Sequence, residues 1–293
     1  MIRTLGTVFS ILAGLAFGSF MNVCLSRWLA SGSVVNPQSR CRGCESTPAW
    51  WENLSLMSWL VRRGRCRHCH TRMSWRYPLV ELSVGAIWGL LAWRLMDLIV
   101  NTRYGFTLPY LNLEYTAGIM IFCWTLVGIA TLDARHFNLS DLITLPGVAI
   151  GVVFYILTSE QMVWSFVTEL TPIQEVGRRL FAVIAAGGLV MLIRWVYWLI
   201  RRQKILGLGE ANLMAMLAAW LGLPGALLAF GIGVLLGTAM TLAYLAVRAA
   251  GRNPEGWKIP ELPLGTFVCT GGIVSCLWGP QIISAYIHFS GQY

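Results

Sequence analysis

Charged side chains are scarce in this chain. Asp, Glu, Lys and Arg together make up 12% of its 293 residues, whereas 56% of the residues are hydrophobic. The mean hydropathy is +0.63, so the chain is far more apolar than soluble globular proteins usually are. This composition excludes a soluble globular protein and indicates a polytopic membrane protein.

Four sequence signatures are also absent. No pattern of small residues typical of signal-peptide cleavage follows the apolar run at 4–23, so we interpret that run as a retained first span. The chain contains no internal repeat and no low-complexity tract. It also lacks a glycine-rich strand-to-helix loop of the Rossmann type, so the sequence locates no cofactor site of that kind.

Apolar runs of about 20 residues, long enough to cross a bilayer, recur along the chain. They begin near Thr4, Pro78, Tyr115, Leu139, Leu180, Leu223 and Pro263. A shorter eighth segment at 210–222 ends at Leu223-Pro224-Gly225, where a tight turn joins it to the next span. The sequence therefore predicts an all-α polytopic membrane protein with about eight transmembrane helices.

Basic residues are distributed unevenly between the connections. Those at 27–76, 133–138, 201–209 and 248–262 hold nine, one, three and three Lys or Arg residues, which is sixteen of the 22. Because basic residues favour the cytoplasmic side, we expect these connections to be cytoplasmic and both termini to lie outside. The topology thus accounts for the net charge of +9, and we expect no nucleic-acid partner.

This topology predicts three parts. Residues 1–27 form the first transmembrane helix, residues 28–76 form a cytoplasmic domain, and residues 77–293 form the remaining membrane domain. The segment 28–76 is the only sizeable aqueous part of the chain.

Two Cys-x-x-Cys pairs lie in the segment 28–76. Cys41 and Cys44 form the first pair, and Cys66 and Cys69 form the second. Each pair can present two thiolates to one tetrahedral ion, which is the spacing of a structural zinc site. A cytoplasmic location argues against structural disulfides, so free thiols or a redox pair are the alternatives. Four thiolates complete the coordination of the ion, so this zinc is expected to stabilise the segment rather than to catalyse.

Two acids are expected at the cytoplasmic edge of the membrane part. Asp133 closes the third span, and Glu210 opens the sixth, just before the uncharged run at 214–230. An ionisable side chain in an apolar span is costly, so it indicates a functional site. Two neighbouring carboxylates suit an aspartic protease, in which the ionised one activates water and the protonated one donates to the peptide. Neither a Ser-His-Asp order nor an HExxH motif offers a competing mechanism.

Structural roles for these acids are an alternative. Asp133 could pair with Arg135 and cap a turn, and Glu210 could favour a helix N-terminus, as acids do. Asp141 and Glu81 are further acids near the same membrane face. A transporter that uses such acids as proton relays would need a polar path across the membrane, whereas these acids cluster on one side.

Several stretches of the chain are similar to the motifs of one family. They are residues 18–23 in the first span, residues 39–82 around the cysteine pairs, residues 132–146 around Asp133, and residues 262–265 before the last span. In these residues the chain resembles the bacterial type IV prepilin peptidases, also called leader peptidase/N-methyltransferases. The resemblance covers nearly the whole chain.

The resemblance implies an eight-span aspartic protease of the bacterial inner membrane with Asp133 and Glu210 as its catalytic acids. Such enzymes cleave the short basic leader of type IV prepilins or type II secretion pseudopilins after a glycine, at the cytoplasmic face. They then methylate the new N-terminus with S-adenosylmethionine. The resemblance thus implies S-adenosylmethionine as a cofactor, beside the structural zinc predicted from the cysteine spacing. The implied partners are pilin precursors and the lipid bilayer. We expect the methyltransferase part in the segment 28–76.

Position 210 departs from the family pattern. The family motif reads Gly-x-Gly-Asp-x-Lys, whereas this chain has Gly207-Leu-Gly-Glu210-Ala-Asn212. Glutamate moves the carboxylate outward by one methylene, and displacements of about 1 Å can cost on the order of a hundredfold in rate. Asn212 also removes a cation that could stabilise an ionised acid. The alternative hypothesis is a weakened or inactive homologue that binds pilins or only methylates them.

Overall fold

The structure is a computed structural model in which the described part of the chain is helical apart from short turns. It describes residues 2–28, 44, 55–61, 63–66, 68–72, 74–101, 108–136, 141–158, 172–202, 207–250 and 263–289. The helices are α1 (Ile2–Trp28), α2 (Ser55–Val61), α3 (Arg76–Asn101), α4 (Leu108–His136), α5 (Asp141–Thr158), α6 (Pro172–Arg201), α7 (Leu208–Ala250) and α8 (Leu264–Phe289). Seven of these helices, all except α2, are long and apolar enough to cross a membrane. The prediction of an all-α polytopic membrane protein is therefore confirmed.

The first compact unit, Met1–Gly128, is built on close packing of α1 against α3. A Cβ added at Gly14 would lie 2.9 Å from the Cα of Gly85, and one added at Gly18 would lie 2.7 Å from the Cα of Glu81. Glycines at these positions let the two backbones approach, which is how helices pack inside a membrane. The indole of Trp88 donates to the carbonyl of Met120 (3.0 Å) and thereby joins α3 to α4.

The second compact unit, Ile129–Tyr293, contains the end of α4 and the helices α5 to α8. Its longest helix, α7, is interrupted at Gly222, which has φ 73° and ψ 175°. Pro224 follows closely and has no backbone N–H to continue the helical hydrogen bonds. The helix therefore consists of two halves, 208–221 and 223–250, and the predicted turn between the sixth and seventh segments is confirmed.

The first half of α7 runs alongside α5 in the same direction. The Asn212 amide donates to the Asp141 carboxylate (2.9 Å), and further along both helices the Trp220 indole donates to the carbonyl of Gly147 (2.9 Å). These two contacts join the start of α7 to the start of α5. The first half of α7 therefore begins at the end of the unit where α5 begins.

The second half of α7 runs antiparallel to α8. The Ser275 hydroxyl, well inside α8, donates to the carbonyl of Gly225 (2.8 Å), whereas Leu242 lies beside Leu264 at the start of α8. The start of α8 also contacts Asp133 near the end of α4, which only residues 137–140 separate from α5. The chain thus doubles back at Gly222, and both halves of α7 reach the end of the unit that contains Asp133.

The helix α6 differs from the sequence-based expectation. The apolar run begins near Leu180, whereas the helix begins at Pro172 and includes Arg178 and Arg179. Arg179 is buried: its guanidinium donates to the carbonyl of Ala218 (3.2 Å) and lies 3.5 Å from the centre of the Tyr155 ring. A hydropathy-based prediction places the edge of the span at this arginine because the residue is charged. In the structure its charge is accommodated between helices.

Candidate functional site

Asp133 is a buried acid near the C-terminal end of α4, with 4% of its surface exposed. Its Oδ2 accepts a hydrogen bond from the backbone N–H of Thr266 (2.6 Å) and lies 3.0 Å from the Thr266 hydroxyl. That hydroxyl also lies 3.1 Å from the carbonyl of Ala130, and its single proton can serve one of the two acceptors at a time. Thr266 thus fixes one oxygen of the carboxylate.

The position of Thr266 explains why it binds an acid from another helix. Pro263 precedes α8, and Thr266 lies in its first turn, where backbone N–H groups have no helical carbonyl four residues before them. The N–H of Thr266 lies 3.2 Å from the carbonyl of Pro263 and is shared with the Asp133 carboxylate. A carboxylate at such a helix start also interacts favourably with the helix dipole. The sequence motif at 262–265 ends one residue before Thr266, so its turn indicated this region but not the contact itself.

Glu210 lies in the first turn of α7 and is partly buried. A Cβ added at Gly207 would lie only 2.7 Å from its Oε2, so the carboxylate folds back over position 207. Glutamate at the third position of a helix commonly turns back toward the residue that precedes the helix. The absence of a side chain at Gly207 leaves the space that this conformation occupies.

Asp141, the third acid noted in the sequence, is exposed at the first residue of α5. Its Oδ1 accepts the hydrogen bond from Nδ2 of Asn212, two residues after Glu210. Asp141 therefore connects the starts of α5 and α7. In the sequence, Asn212 was notable only because it replaces the lysine of the family motif. No local pattern indicated that it would bind Asp141.

The contacts of these residues bring Asp133, Asp141 and Glu210 to one end of the second unit. Asp133 contacts the start of α8, Asp141 contacts the start of α7, and residues 137–140 alone lie between α4 and α5. The Arg135 side chain, which the sequence offered as a partner for Asp133, lies outside the described residues. The arrangement places three carboxylates, those of Asp133, Asp141 and Glu210, at one end of an apolar helical unit.

Three of the four predicted metal ligands form a cluster. The sulfur atoms of Cys44, Cys66 and Cys69 all lie within 4.8 Å of one another, and those of Cys44 and Cys66 are 3.9 Å apart. A tetrahedral zinc ion with bonds of about 2.3 Å holds its sulfur ligands roughly 3.8 Å apart, so the three thiols fit this ion. Cys41 lies outside the described residues.

A tight loop brings the second cysteine pair together. The backbone N–H of Cys66 donates to the carbonyl of Thr71 (3.0 Å), and the N–H of His70 donates back to the carbonyl of Cys66 (3.2 Å). Gly64 just before the loop and His70 within it have positive φ angles, 70° and 54°. This turn points the thiols of Cys66 and Cys69 toward Cys44.

Glu81 in α3 belongs to the first unit and is fully buried. Its Oε2 accepts a hydrogen bond from the backbone N–H of Leu56 (2.7 Å) at the start of the short helix α2. The Asn22 amide donates to the carbonyl of Tyr77 (2.9 Å) nearby. The first contact attaches α2, in the segment 28–76, to α3, and the second joins α1 to α3. The sequence did not reveal either contact.

Two family profiles match the chain. The Bacterial Peptidase A24 N-terminal domain matches residues 12–95, and the Type IV leader peptidase family matches residues 120–242. The first match includes all four cysteines of the two pairs. The second includes Asp133, Asp141, Glu210 and Asn212.

Several relatives match along most of their length. A prepilin leader peptidase/N-methyltransferase of Stutzerimonas stutzeri is 29% identical, covering 96% of this chain and 93% of the relative. The protein of the same name from Pseudomonas aeruginosa is 27% identical with the same coverage. The one from Xanthomonas campestris pv. campestris is 30% identical over 83% of this chain and 72% of its own length.

No solved structure matches this chain. The two domain matches are consecutive, and the relatives are aligned across both of them. The resemblance seen in the motifs therefore extends over most of the chain. The chain belongs to the type IV prepilin leader peptidase/N-methyltransferase family.

Proposed function

We propose that this chain cleaves the leader of type IV prepilins or type II secretion pseudopilins with Asp133 and Glu210, and then methylates the new N-terminus. Family membership supports both activities and the substrate class. The observation that supports Asp133 as a catalytic acid is its buried carboxylate, one oxygen of which is held by Thr266. Keeping an ionisable group inside an apolar helical unit is costly, which favours a functional role.

The two carboxylates divide the chemistry of hydrolysis. The ionised carboxylate takes a proton from water as the water oxygen attacks the carbonyl carbon of the bond after glycine. The protonated carboxyl donates its proton to the carbonyl oxygen, and the tetrahedral intermediate collapses as the leaving amine takes up a proton. Because Thr266 holds Oδ2 of Asp133, Oδ1 is the oxygen that faces the reacting water or peptide.

The folded-back conformation of Glu210 supports a working role for glutamate at this position. An extended glutamate would carry its carboxylate one methylene further out than aspartate. Because the side chain folds over Gly207, the carboxylate stays close to its own helix start and part of the added length is taken up. The hydrogen bond between Asn212 and Asp141 then holds that helix start against α5.

The segment 28–76 is proposed to be the zinc-binding and methyltransferase part, between the first helix at 1–27 and the peptidase domain at 77–293. Cys44, Cys66 and Cys69, with Cys41, would hold one structural zinc ion. S-adenosylmethionine, when bound, supplies the methyl group. The buried Glu81 supports this arrangement because it attaches α2 to the membrane helices.

The proposed location is the bacterial inner membrane, with both termini outside and both acids at the cytoplasmic face. The support is the distribution of basic residues, which is strongest in the segment 28–76. A second function, a pilin-binding homologue without peptidase activity, is favoured by the changes at Glu210 and Asn212. The difference between the two functions depends on position 210.

The test is to co-express the chain with a type IV prepilin and to measure the mass of the pilin N-terminus. We expect leader removal with Glu210 and with Glu210→Asp, and an intact leader with Glu210→Gln and Asp133→Asn. Loss of a general acid or base typically costs about 10²- to 10⁴-fold in rate, which is ample for this readout. If only the Glu210→Asp form cleaves, the chain as it stands is the inactive homologue.

A further inference from the structure

The hydroxyl of Thr266 has two acceptors and one proton. Its oxygen lies 3.0 Å from Oδ2 of Asp133 and 3.1 Å from the carbonyl oxygen of Ala130, both on α4. A threonine hydroxyl rotates about its C–O bond, so its proton can point to either acceptor. Hydrogen bonds to ionised groups are roughly twice as strong as those between neutral groups. The acceptor that carries more negative charge therefore receives the proton.

The charge on Asp133 decides the direction of this hydrogen bond. When the carboxylate is ionised, Oδ2 accepts from both donors of Thr266, the backbone N–H at 2.6 Å and the hydroxyl at 3.0 Å. When Asp133 is protonated, its oxygens are weaker acceptors, and the hydroxyl proton turns to the Ala130 carbonyl. The hydroxyl has an acceptor in both states.

These donors matter because Asp133 has little access to water. Only 4% of its surface is exposed. An ionised carboxylate in such surroundings is costly unless hydrogen bonds replace the water that it has lost. Both bonds from Thr266 are stronger when the carboxylate is ionised, so they stabilise that form more than the protonated form.

Glu210 has no comparable set of donors. Within the described residues, no hydrogen bond is made to its carboxylate, although it lies in the first turn of α7. The helix dipole favours a negative charge both there and at the start of α8, so it does not distinguish the two acids. The hydrogen bonds do distinguish them, because only Asp133 receives donors that stabilise its ionised form.

We propose that Thr266 is a positioning residue whose hydroxyl binds Asp133 while that acid is ionised and turns to the Ala130 carbonyl when the acid is protonated. Asp133 is accordingly the base of the reaction, and Glu210 is the acid. The inference rests on the proposed peptidase function and assigns the two roles that the pair of carboxylates leaves open.

The hydroxyl follows the proton through the reaction. The attacking water gives a proton to Oδ1 of Asp133 and bonds to the carbonyl carbon, while Glu210 gives its proton to the carbonyl oxygen. Asp133 is then neutral, and the Thr266 hydroxyl turns to Ala130. When the C–N bond breaks, Asp133 passes its proton to the leaving amine, and one hydroxyl of the intermediate returns a proton to Glu210. Asp133 is ionised again, and the Thr266 hydroxyl turns back to it.

The first experiment removes the hydroxyl alone. Thr266→Val keeps the shape of the side chain and the backbone N–H, whereas Thr266→Ser keeps the hydroxyl. The matched control is Thr270→Val. Thr270 is exposed one turn further along α8, and its hydroxyl donates to the carbonyl of Thr266 instead of to an acid. Thermal unfolding compares all variants with the unmodified chain, and Thr266→Ala replaces Thr266→Val if that variant unfolds.

The readout is the pH dependence of kcat/KM for prepilin cleavage, whose acidic limb reports the base. Without the hydroxyl, Asp133 ionises only at higher pH, so we expect Thr266→Val to move this limb upward by about one pH unit. On the limb the variant should be roughly tenfold slower, as expected for a lost hydrogen bond to a charged group. On the alkaline plateau it should agree with the unmodified chain within about threefold. Thr266→Ser and Thr270→Val should follow the unmodified chain.

The other titratable groups near Asp133 are the same in all these variants. Among the described residues, buried Cys269 interacts with it from α8, and Asp141 and Glu210 lie at the same end of the unit. A difference between Thr266→Val and Thr266→Ser therefore reports the hydroxyl. An equal loss of rate by Thr266→Val at every pH would overturn the proposal, because a hydroxyl that only joins α8 to α4 through Ala130 gives that result.

The second experiment observes Asp133 without requiring catalysis. Difference infrared spectroscopy detects the C=O stretch of a protonated carboxyl, and loss of the band in Asp133→Asn identifies the residue. The Glu210→Gln background removes the neighbouring acid. We expect the band to appear at a higher pH with Thr266→Val than with Thr266→Ser, and equal titrations would overturn the proposal.

The infrared titration also separates this inference from the peptidase function. A shift with Thr266→Val in a chain whose unmodified form does not cleave would support the contact with Asp133 while contradicting the peptidase function. A chain that cleaves, but whose acidic limb and infrared titration are unchanged by Thr266→Val, would retain the peptidase function and overturn the role of Thr266.

Discussion

The position of the Glu210 carboxylate depends on the absence of a side chain at Gly207. A Cβ at that position would lie 2.7 Å from Oε2, so Gly207→Ala must displace the carboxylate. Since displacements near 1 Å can be costly, we expect kcat for prepilin cleavage to fall on the order of tenfold to a hundredfold. The measurement is the cleavage rate at saturating prepilin.

The matched control for this prediction is the shorter acid. In the Glu210→Asp background the side chain is one methylene shorter, so we expect Gly207→Ala to have little effect there. A similar loss of kcat in both backgrounds would show that the alanine acts on the backbone instead. Gly188→Ala, at a helical position with no other atom within 4 Å of the added Cβ, checks for a general effect of substitution.

Asp141 acts as a positioning residue if it affects cleavage only through its hydrogen bond to Asn212. Asp141→Asn keeps an oxygen that can accept from Asn212, so we expect kcat within about threefold of the unmodified chain. Asp141→Ala and Asn212→Ala remove the bond, and each should lower kcat by roughly tenfold, since such a bond contributes about 0.5–1.5 kcal/mol.

A double-substitution cycle separates positioning from catalysis. If Asp141 and Asn212 act through their shared hydrogen bond, the double alanine variant should be no slower than the slower single variant. A catalytic role for Asp141 would make Asp141→Asn as inactive as Asp133→Asn. Additive losses in the double variant would mean that the two residues act separately.

The break in α7 is the element that brings both its halves to the end with Asp133. Gly222 has φ 73°, a conformation that other residues adopt only with strain, and an added Cβ would lie 3.1 Å from the Arg179 guanidinium. We expect Gly222→Ala to lower the free energy of unfolding by about 1–3 kcal/mol. Thermal unfolding in detergent micelles measures this, with Gly188→Ala as the control.

The control should behave in the opposite way. Gly188 lies inside α6 with open space around its added Cβ, so alanine there should be neutral or stabilise the helix by about 0.5–1 kcal/mol. Equal unfolding temperatures for Gly222→Ala and the unmodified chain would mean that another conformation can replace the break.

Arg179 shows what hydropathy cannot predict about an element. Its guanidinium binds the carbonyl of Ala218, close to the end of the first half of α7, where helical carbonyls lack partners. The Tyr155 ring lies against the other side of the charge. The residues that accommodate the arginine, Ala218 and Tyr155, are 39 and 24 positions away in sequence. A hydropathy average over neighbouring residues therefore detects only a charge at the edge of an apolar run.

At the scale of the molecule, the predictable features are those encoded locally. The apolar runs predicted the spans, and Leu223-Pro224-Gly225 predicted the turn in α7. The second Cys-x-x-Cys pair predicted two of the three clustered thiols. The contacts that build the candidate site are long-range: Thr266 to Asp133 spans 133 residues, and Asn212 to Asp141 spans 71. No periodicity or motif connects such pairs without homologues.

The orientation of the chain decides whether the two acids can meet a cytoplasmic leader. Because sixteen of the 22 basic residues lie in four connections on one predicted side, that side should be cytoplasmic and both termini outside. A C-terminal alkaline phosphatase fusion, active only outside, should therefore be active, and a green fluorescent protein fusion there should be dark. The same reporters fused after Arg202 should give the reverse pattern. Fluorescence at the C-terminus would place Asp133 and Glu210 on the outer face, where they could not cleave a leader that remains in the cytoplasm.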